Sequence, residues 1–188
     1  MKEEILTILD EHAKLIEDLK ECIPEIQAVA NKIIKAYKAR KKVVLFGNGG
    51  SAADAQHVAA EFVGKFYKER DALPALAFHC NTSSVTATAN DFGYDLIFER
   101  QVVAFVEEGD VVIGISTSGN SPNVLKGIKK AKELGAITVG MTGRIHRCMP
   151  FSIAQVAPPV PVSATRPRRS ARSSPKPGDP RWPMRRRR

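Results

Sequence analysis

Val43-Val44-Leu45-Phe46-Gly47-Asn48-Gly49-Gly50-Ser51 is the stretch that decides the fold, because an apolar run leads straight into a glycine-rich turn. A short run without alternation reads as a strand buried on both faces, as in a parallel sheet with helices on either side. The runs Leu73 to Phe78, Val111 to Ile115 and Ile137 to Met141 repeat the pattern. Between them the spacing predicts helices over 51–66, 82–89, 96–106 and 122–134, with Gly135 as a C-terminal stop. The expected fold is therefore α/β, a doubly wound parallel sheet.

Upstream, Ile5, Leu9, Ile16 and Leu19 recur in fours and threes with His12 on the same seam, the mark of an amphipathic helix over 1–20. A second helix starts at Pro24 and carries Ile26, Val29, Ile33, Ile34 and Tyr37. Residues 1–40 are expected to form a helical hairpin that packs on the core or on a partner subunit.

The length of 188 residues suits one domain. A charged opening at Lys2, Glu3 and Glu4, and the lack of any apolar run near 18 residues, speak against a signal peptide or membrane span. The default location is the cytoplasm. Cys22, Cys80 and Cys148 are scattered without paired spacing and read as three reduced thiols.

The net charge of +9 is unevenly spread. From Ile145 onward there are 11 Lys and Arg against 1 Asp, so the preceding residues are close to neutral. Nine of the 12 prolines also lie beyond Arg144, together with the terminal Arg185 to Arg188 run. Repeated prolines bar a regular helix there, and Phe151 to Val156 could supply at most one short strand. The chain divides into a domain over 1–144 and a basic Pro/Arg-rich tail over 145–188, irregular or disordered. No nucleic-acid partner is expected except through that tail.

Both loops that carry chemistry follow strands. Asn48, Gly49, Gly50 and Ser51 sit where backbone amides and a helix N-terminus converge, which suits an anion or polar hydroxyls. Gly47, Gly49 and Ala52 also satisfy a loose dinucleotide fingerprint, but the second strand ends in Phe78-His79-Cys80 without the acid that would hold a ribose. The third strand ends in Ser116-Thr117-Ser118-Gly119-Asn120-Ser121, four hydroxyls ahead of a helix opened by Pro122. They read as a phosphate cradle or, alternatively, as an N-cap with idle serines. Asn90-Asp91 reaches the same rim or forms an Asx turn. His57 and Glu61, one turn apart, could share a divalent metal, move protons, or merely form a solvated pair.

Taken together, Phe46 to Ser51, His57 with Glu61, Asn90-Asp91-Phe92-Gly93 and Gly114 to Ser121 resemble the phosphoheptose isomerases of the SIS-domain family. The resemblance spans 1–144. It implies a flavodoxin-like fold and a homotetramer with active sites shared between subunits and N-terminal helices aiding assembly. It also implies isomerisation of sedoheptulose 7-phosphate to D-glycero-D-manno-heptose 7-phosphate, toward the heptose of lipopolysaccharide or surface glycans. By similarity, Ser116, Thr117, Ser118 and Ser121 hold phosphate, while Asn48, Gly49, Gly50, Ser51, Asn90 and Asp91 hold the sugar. His57 and Glu61 are the implied zinc ligands, and the catalytic pair. The alternative is a non-catalytic SIS scaffold resembling replication-initiator-associating proteins.

One departure stands out. The family supplies a further Gln and His on a C-terminal helix, whereas here Gln155 and His146 come in the wrong order within the Pro-rich tail. That tail reads as an out-of-frame or replaced C-terminus.

Overall fold

In the computed structural model, which describes residues 1–143 and 152–154, the first strand, β1 (Val43–Gly47), is buried at every position. Val43 and Leu45 join one core cluster and Val44 and Phe46 another, so alternate side chains enter opposite faces of the sheet. Full burial of Phe46 alone is worth about 1.5–3 kcal/mol. The strand can be apolar throughout because neither face meets water.

β2 (Ala75–Ala77), β3 (Val111–Ser116), β4 (Ile137–Thr142) and β5 (Ser152–Ala154) complete a sheet in the order β2-β1-β3-β4-β5. The first four strands are parallel and β5 runs antiparallel to β4. The short strand foreseen within Phe151 to Val156 thus exists, but it turns the parallel sheet into a mixed one. The rest of the 145–188 tail lies outside the described residues, and so does the reading of it as irregular or out of frame.

The six α-helices among the described residues are α1 (Lys2–Asp18), α2 (Ile23–Lys38), α3 (Gly50–Val63), α4 (Thr82–Phe92), α5 (Ile97–Phe105) and α6 (Pro122–Glu133). Val29, Ile33, Ala36, Ala55 and Ala59 bring α2 and α3 onto the Val43/Leu45 face. Phe98, Val102, Val124 and Ala131 bring α5 and α6 onto the other, where Phe46 stacks on Phe98 with ring centroids 4.7 Å apart. α1 buries none of its residues: Ile5, Leu9 and Ile16 remain 52–63% exposed. Of the two packing alternatives for the opening helices, α2 takes the core and α1 leaves its seam uncovered within this chain.

Several boundaries differ from the expected ones. α3 ends at Val63 rather than Phe66 because Gly64 interrupts it and Arg70 folds back on its last carbonyls. α4 continues to Phe92, where Gly93 at φ +91° stops it, so Asn90 and Asp91 lie in its last turn rather than in a loop. β2 keeps only three residues of its expected run.

Candidate functional site

The strand order makes β1 and β3 neighbours whose following segments depart to opposite faces, the arrangement at which open α/β sheets bind ligands. Gly47 pairs with Ile115 in the register, so the turns after the two strands leave side by side. Gly47 is fixed by space: a Cβ there would lie 2.7 Å from the Ser51 Cβ and 2.8 Å from the Ile115 carbonyl oxygen. Gly49 is fixed by conformation, at φ +55° just ahead of α3. The Ser51 N–H donates to the Asn48 carbonyl at 3.0 Å, so that amide closes the turn instead of facing a ligand.

At the end of β3 the hydroxyls face one another. Ser116 Oγ lies 2.9 Å from Ser121 Oγ and 3.5 Å from Ser118 Oγ, and the Asn120 N–H donates to Ser118 Oγ at 3.2 Å. Ser121 occupies the N-cap position of α6 but makes no side-chain cap bond; its hydroxyl turns to Ser116 instead. The Ser118 and Ser121 hydroxyls, each within hydrogen-bond reach of Ser116 Oγ, stand with it before the positive end of a 12-residue helix. Hydroxyls donate or accept as a ligand requires, and the helix end favours negative charge. Thr117 is exposed, and its carbonyl accepts from Gly143, which anchors the loop to the end of β4.

Asn48 is half-buried and its amide is committed within the protein. Its Nδ2 donates to Asn123 Oδ1 at 2.9 Å and its Oδ1 accepts from Asn123 Nδ2 at 2.9 Å and from the Tyr94 hydroxyl at 3.2 Å. Asn123 and Tyr94 are site residues that sequence reasoning missed, since nothing in Pro122-Asn123-Val124 marks a buried amide.

Asn90 Nδ2 donates to Asp91 Oδ1 at 3.0 Å, and both residues are exposed. His57 Nε2 stands 3.6 Å from Glu61 Oε1, with the two side chains 75% and 36% exposed. They line a cleft of about 470 Å³ with Phe62, Phe66, Tyr67 and Arg70. His57 also borders an apolar cleft of about 520 Å³ between α2, α3 and the sheet residues Leu45, Ile113 and Ile115. Neither cleft has Ser116, Thr117, Ser118 or Ser121 in its wall. Neither of these two clefts joins the hydroxyl loop to the His57/Glu61 pair.

Arg70, also missed from sequence, donates to the carbonyls of Glu61 and Phe62 at 2.7 and 2.8 Å and so fixes the helix end that carries Glu61. A cation just beyond a helix C-terminus was the available signal. His79, beyond β2, places its Nε2 3.3 Å from Gln56 Oε1, and burial lowers its pKa below the ordinary imidazole value.

Metal binding is limited by the donor set. Among the described residues no group of three His, Cys, Asp or Glu side chains could hold an ion. His57 and Glu61 offer two donors, half of what tetrahedral zinc takes, so these residues do not by themselves make a zinc site.

The SIS-domain model matches residues 9–143. The chain is 53% identical over 141 residues to the phosphoheptose isomerase of Clostridium acetobutylicum, covering 75% of this chain and 71% of that protein. It is 51% identical over 145 residues to the phosphoheptose isomerase of Geobacter metallireducens, covering 77% of each. Among solved structures, the phosphoheptose isomerase of Neisseria gonorrhoeae aligns with a TM-score of 0.71 at 37% identity, over 76% of this chain and 75% of that one. With a buried strand pair ending in a glycine turn and a hydroxyl loop, and with this identity across most of its length, the chain belongs to the SIS-domain family and, within it, to the phosphoheptose isomerases.

Proposed function

We propose that this protein isomerises sedoheptulose 7-phosphate to D-glycero-D-manno-heptose 7-phosphate, an aldose-ketose interconversion. The observation that carries the reading is the cluster of Ser116, Ser118 and Ser121 hydroxyls at the head of α6, a cradle for a phosphate. Thr117 would join it, while Gly49, Gly50, Ser51, Asn90 and Asp91 would border the sugar. Asn48 would shape the site through its amide pair rather than offer a spare donor.

Moving a carbonyl along a sugar requires removal of the proton beside it and stabilisation of an enediolate. Glu61 is assigned as the base that carries the proton between the two carbons. His57, at 3.6 Å, would shuttle the hydroxyl proton that accompanies it. Zinc is retained as a proposed cofactor with His57 and Glu61 as two of its ligands, and would act as a Lewis acid. Because two donors fall short of a site, no step is routed through it.

The exposed apolar seam of α1 supports a homotetramer, and the place of the hydroxyl loop outside both clefts that His57 borders supports active sites shared between subunits. No helix among the described residues is long and apolar enough to cross a membrane. A cytoplasmic role in making heptose for lipopolysaccharide or surface glycans is part of the proposal and rests on the kinship with phosphoheptose isomerases. The kinship with isomerases weighs against the non-catalytic scaffold.

The test is turnover of sedoheptulose 7-phosphate by the full chain with added zinc, alongside Ser121→Ala. The reading expects parent turnover and a KM raised roughly tenfold or more in the variant, from loss of one charge-assisted hydrogen bond. A parent that neither binds nor converts the sugar phosphate defeats it.

A further inference from the structure

Three polar patches meet in one set of hydrogen bonds: the turn after β1 through Asn48, the segment after α4 through Tyr94, and the start of α6 through Asn123. The Val124 N–H donates to Asn123 Oδ1 at 3.0 Å, which fixes the orientation of that amide and hence of its partner. Asn48 must then turn its NH2 toward Asn123 Oδ1 and its oxygen toward both Asn123 Nδ2 and the Tyr94 hydroxyl. Asn123 is 2% exposed, so no water can replace the bonds of its amide without repacking the head of the helix.

Asn123 stands two residues beyond Ser121, on the same helix start as the hydroxyl cradle. Its amide pair bridges to the glycine turn of the neighbouring strand. We propose that Asn123 is a positioning residue: through Asn48 it sets the distance between the glycine turn and the hydroxyl loop, and Tyr94 reinforces the tie from the α4 side. Asn48 is thereby a strut of the site, and what it does for substrate it does by holding the glycine turn against the cradle. This extends the sugar-phosphate reading above and rests on it only for the consequence in binding.

Hydrogen exchange on the full chain tests the tie without requiring activity. Asn123→Asp keeps the oxygen that serves Asn48 and Val124 but removes the donor to Asn48 Oδ1. Tyr94→Phe removes an exposed hydroxyl that bonds only Asn48. Each variant is expected to speed exchange in the 47–51 and 116–121 segments together, by roughly tenfold, with α2 unchanged. Because both act through Asn48 Oδ1, the double variant should exchange little faster than Asn123→Asp alone. Should Asn123→Asp fail to fold, Tyr94→Phe still decides, because the hydroxyl it removes donates to Asn48 Oδ1 and to no group of the 116–121 segment.

Faster exchange confined to the mutated element, or effects that multiply in the double variant, overturns the proposal. A general loss of thermal stability with an unaltered loop pattern does so as well. In parallel, the affinity of sedoheptulose 7-phosphate is expected to fall roughly tenfold in Asn123→Asp with kcat nearly kept. If the parent fails to bind that sugar while the exchange pattern holds, the functional reading falls and the tie stands.

Discussion

Substituting Ala at Gly47, Gly49 and Gly50 in turn separates two reasons for a glycine in one turn from a position that has neither. At Gly47 the new Cβ would meet the Ser51 Cβ at 2.7 Å, the Ile115 oxygen at 2.8 Å and the Ser51 carbonyl carbon at 2.9 Å. Two of these are backbone, so strand and helix must separate, at a cost of about 1–3 kcal/mol. Gly49 has open space but φ +55°, and a side chain there costs about 1–2 kcal/mol of backbone strain. Gly50 has neither difficulty, with nothing within 4 Å and an ordinary φ at the start of α3, so Ala should be neutral or stabilising by up to about 1 kcal/mol. For a chain of this size each kcal/mol moves Tm by roughly 2–4 °C, giving a fall of about 2–12 °C for Gly47→Ala against no fall for Gly50→Ala. Thermal unfolding followed by circular dichroism reads the series. A Gly50→Ala protein as unstable as Gly47→Ala, or a Gly47→Ala protein at the parental Tm, would refute the reasoning.

Asp110 is fully buried and binds Lys42 Nζ at 2.7 Å while accepting from the N–H groups of Glu107 and Lys42. Asp110→Ala leaves those donors and a partly buried cation without a partner, so urea unfolding should show a loss of about 3–5 kcal/mol. For His79, burial favours the neutral ring, so the unfolded chain binds the extra proton first. Stability should therefore fall as pH drops through the unfolded value of 6.5 toward the lowered folded one, and His79→Gln should flatten that part of a urea-midpoint profile.

The sheet was legible because both-face burial leaves an unbroken apolar run, and Val43 to Phe46 and Val111 to Ile115 show it plainly. The hydroxyl loop was legible because four hydroxyls stand at one strand-to-helix junction. Helix ends were less so: Gly64 ended α3 early, while α4 ran on past Ala89 because Asn90 and Asp91 are tolerated in a last turn. The committed amide of Asn48 was illegible, since its partner lies 75 residues away and meets it only when β1 and β3 pair. Arg70 was similarly hidden, for its target carbonyls depend on how the chain folds back after Gly64.

The placement of Glu61 bears on who supplies the base. At about 1.5 Å of rise per residue, His57 lies about 10 Å and Glu61 about 16 Å along α3 from Gly50, away from the rim where the hydroxyl loop opens. A base must come within about 3 Å of the proton it takes. A phosphate held at Ser121 and a carbon served by Glu61 are thus more easily reconciled if the two belong to different copies, joined across the uncovered seam of α1. Mixing decides the point. Glu61→Gln and Ser121→Ala proteins, each inactive or weakened alone, are unfolded together and refolded as hybrids. If each site draws Glu61 from one copy and Ser121 from another, random mixing restores an intact pair in about a quarter of the sites, and activity rises to that level. If each site lies within one chain, every site keeps one defect and mixing recovers nothing beyond the average of the two parents, which would return the base to the same copy as the cradle.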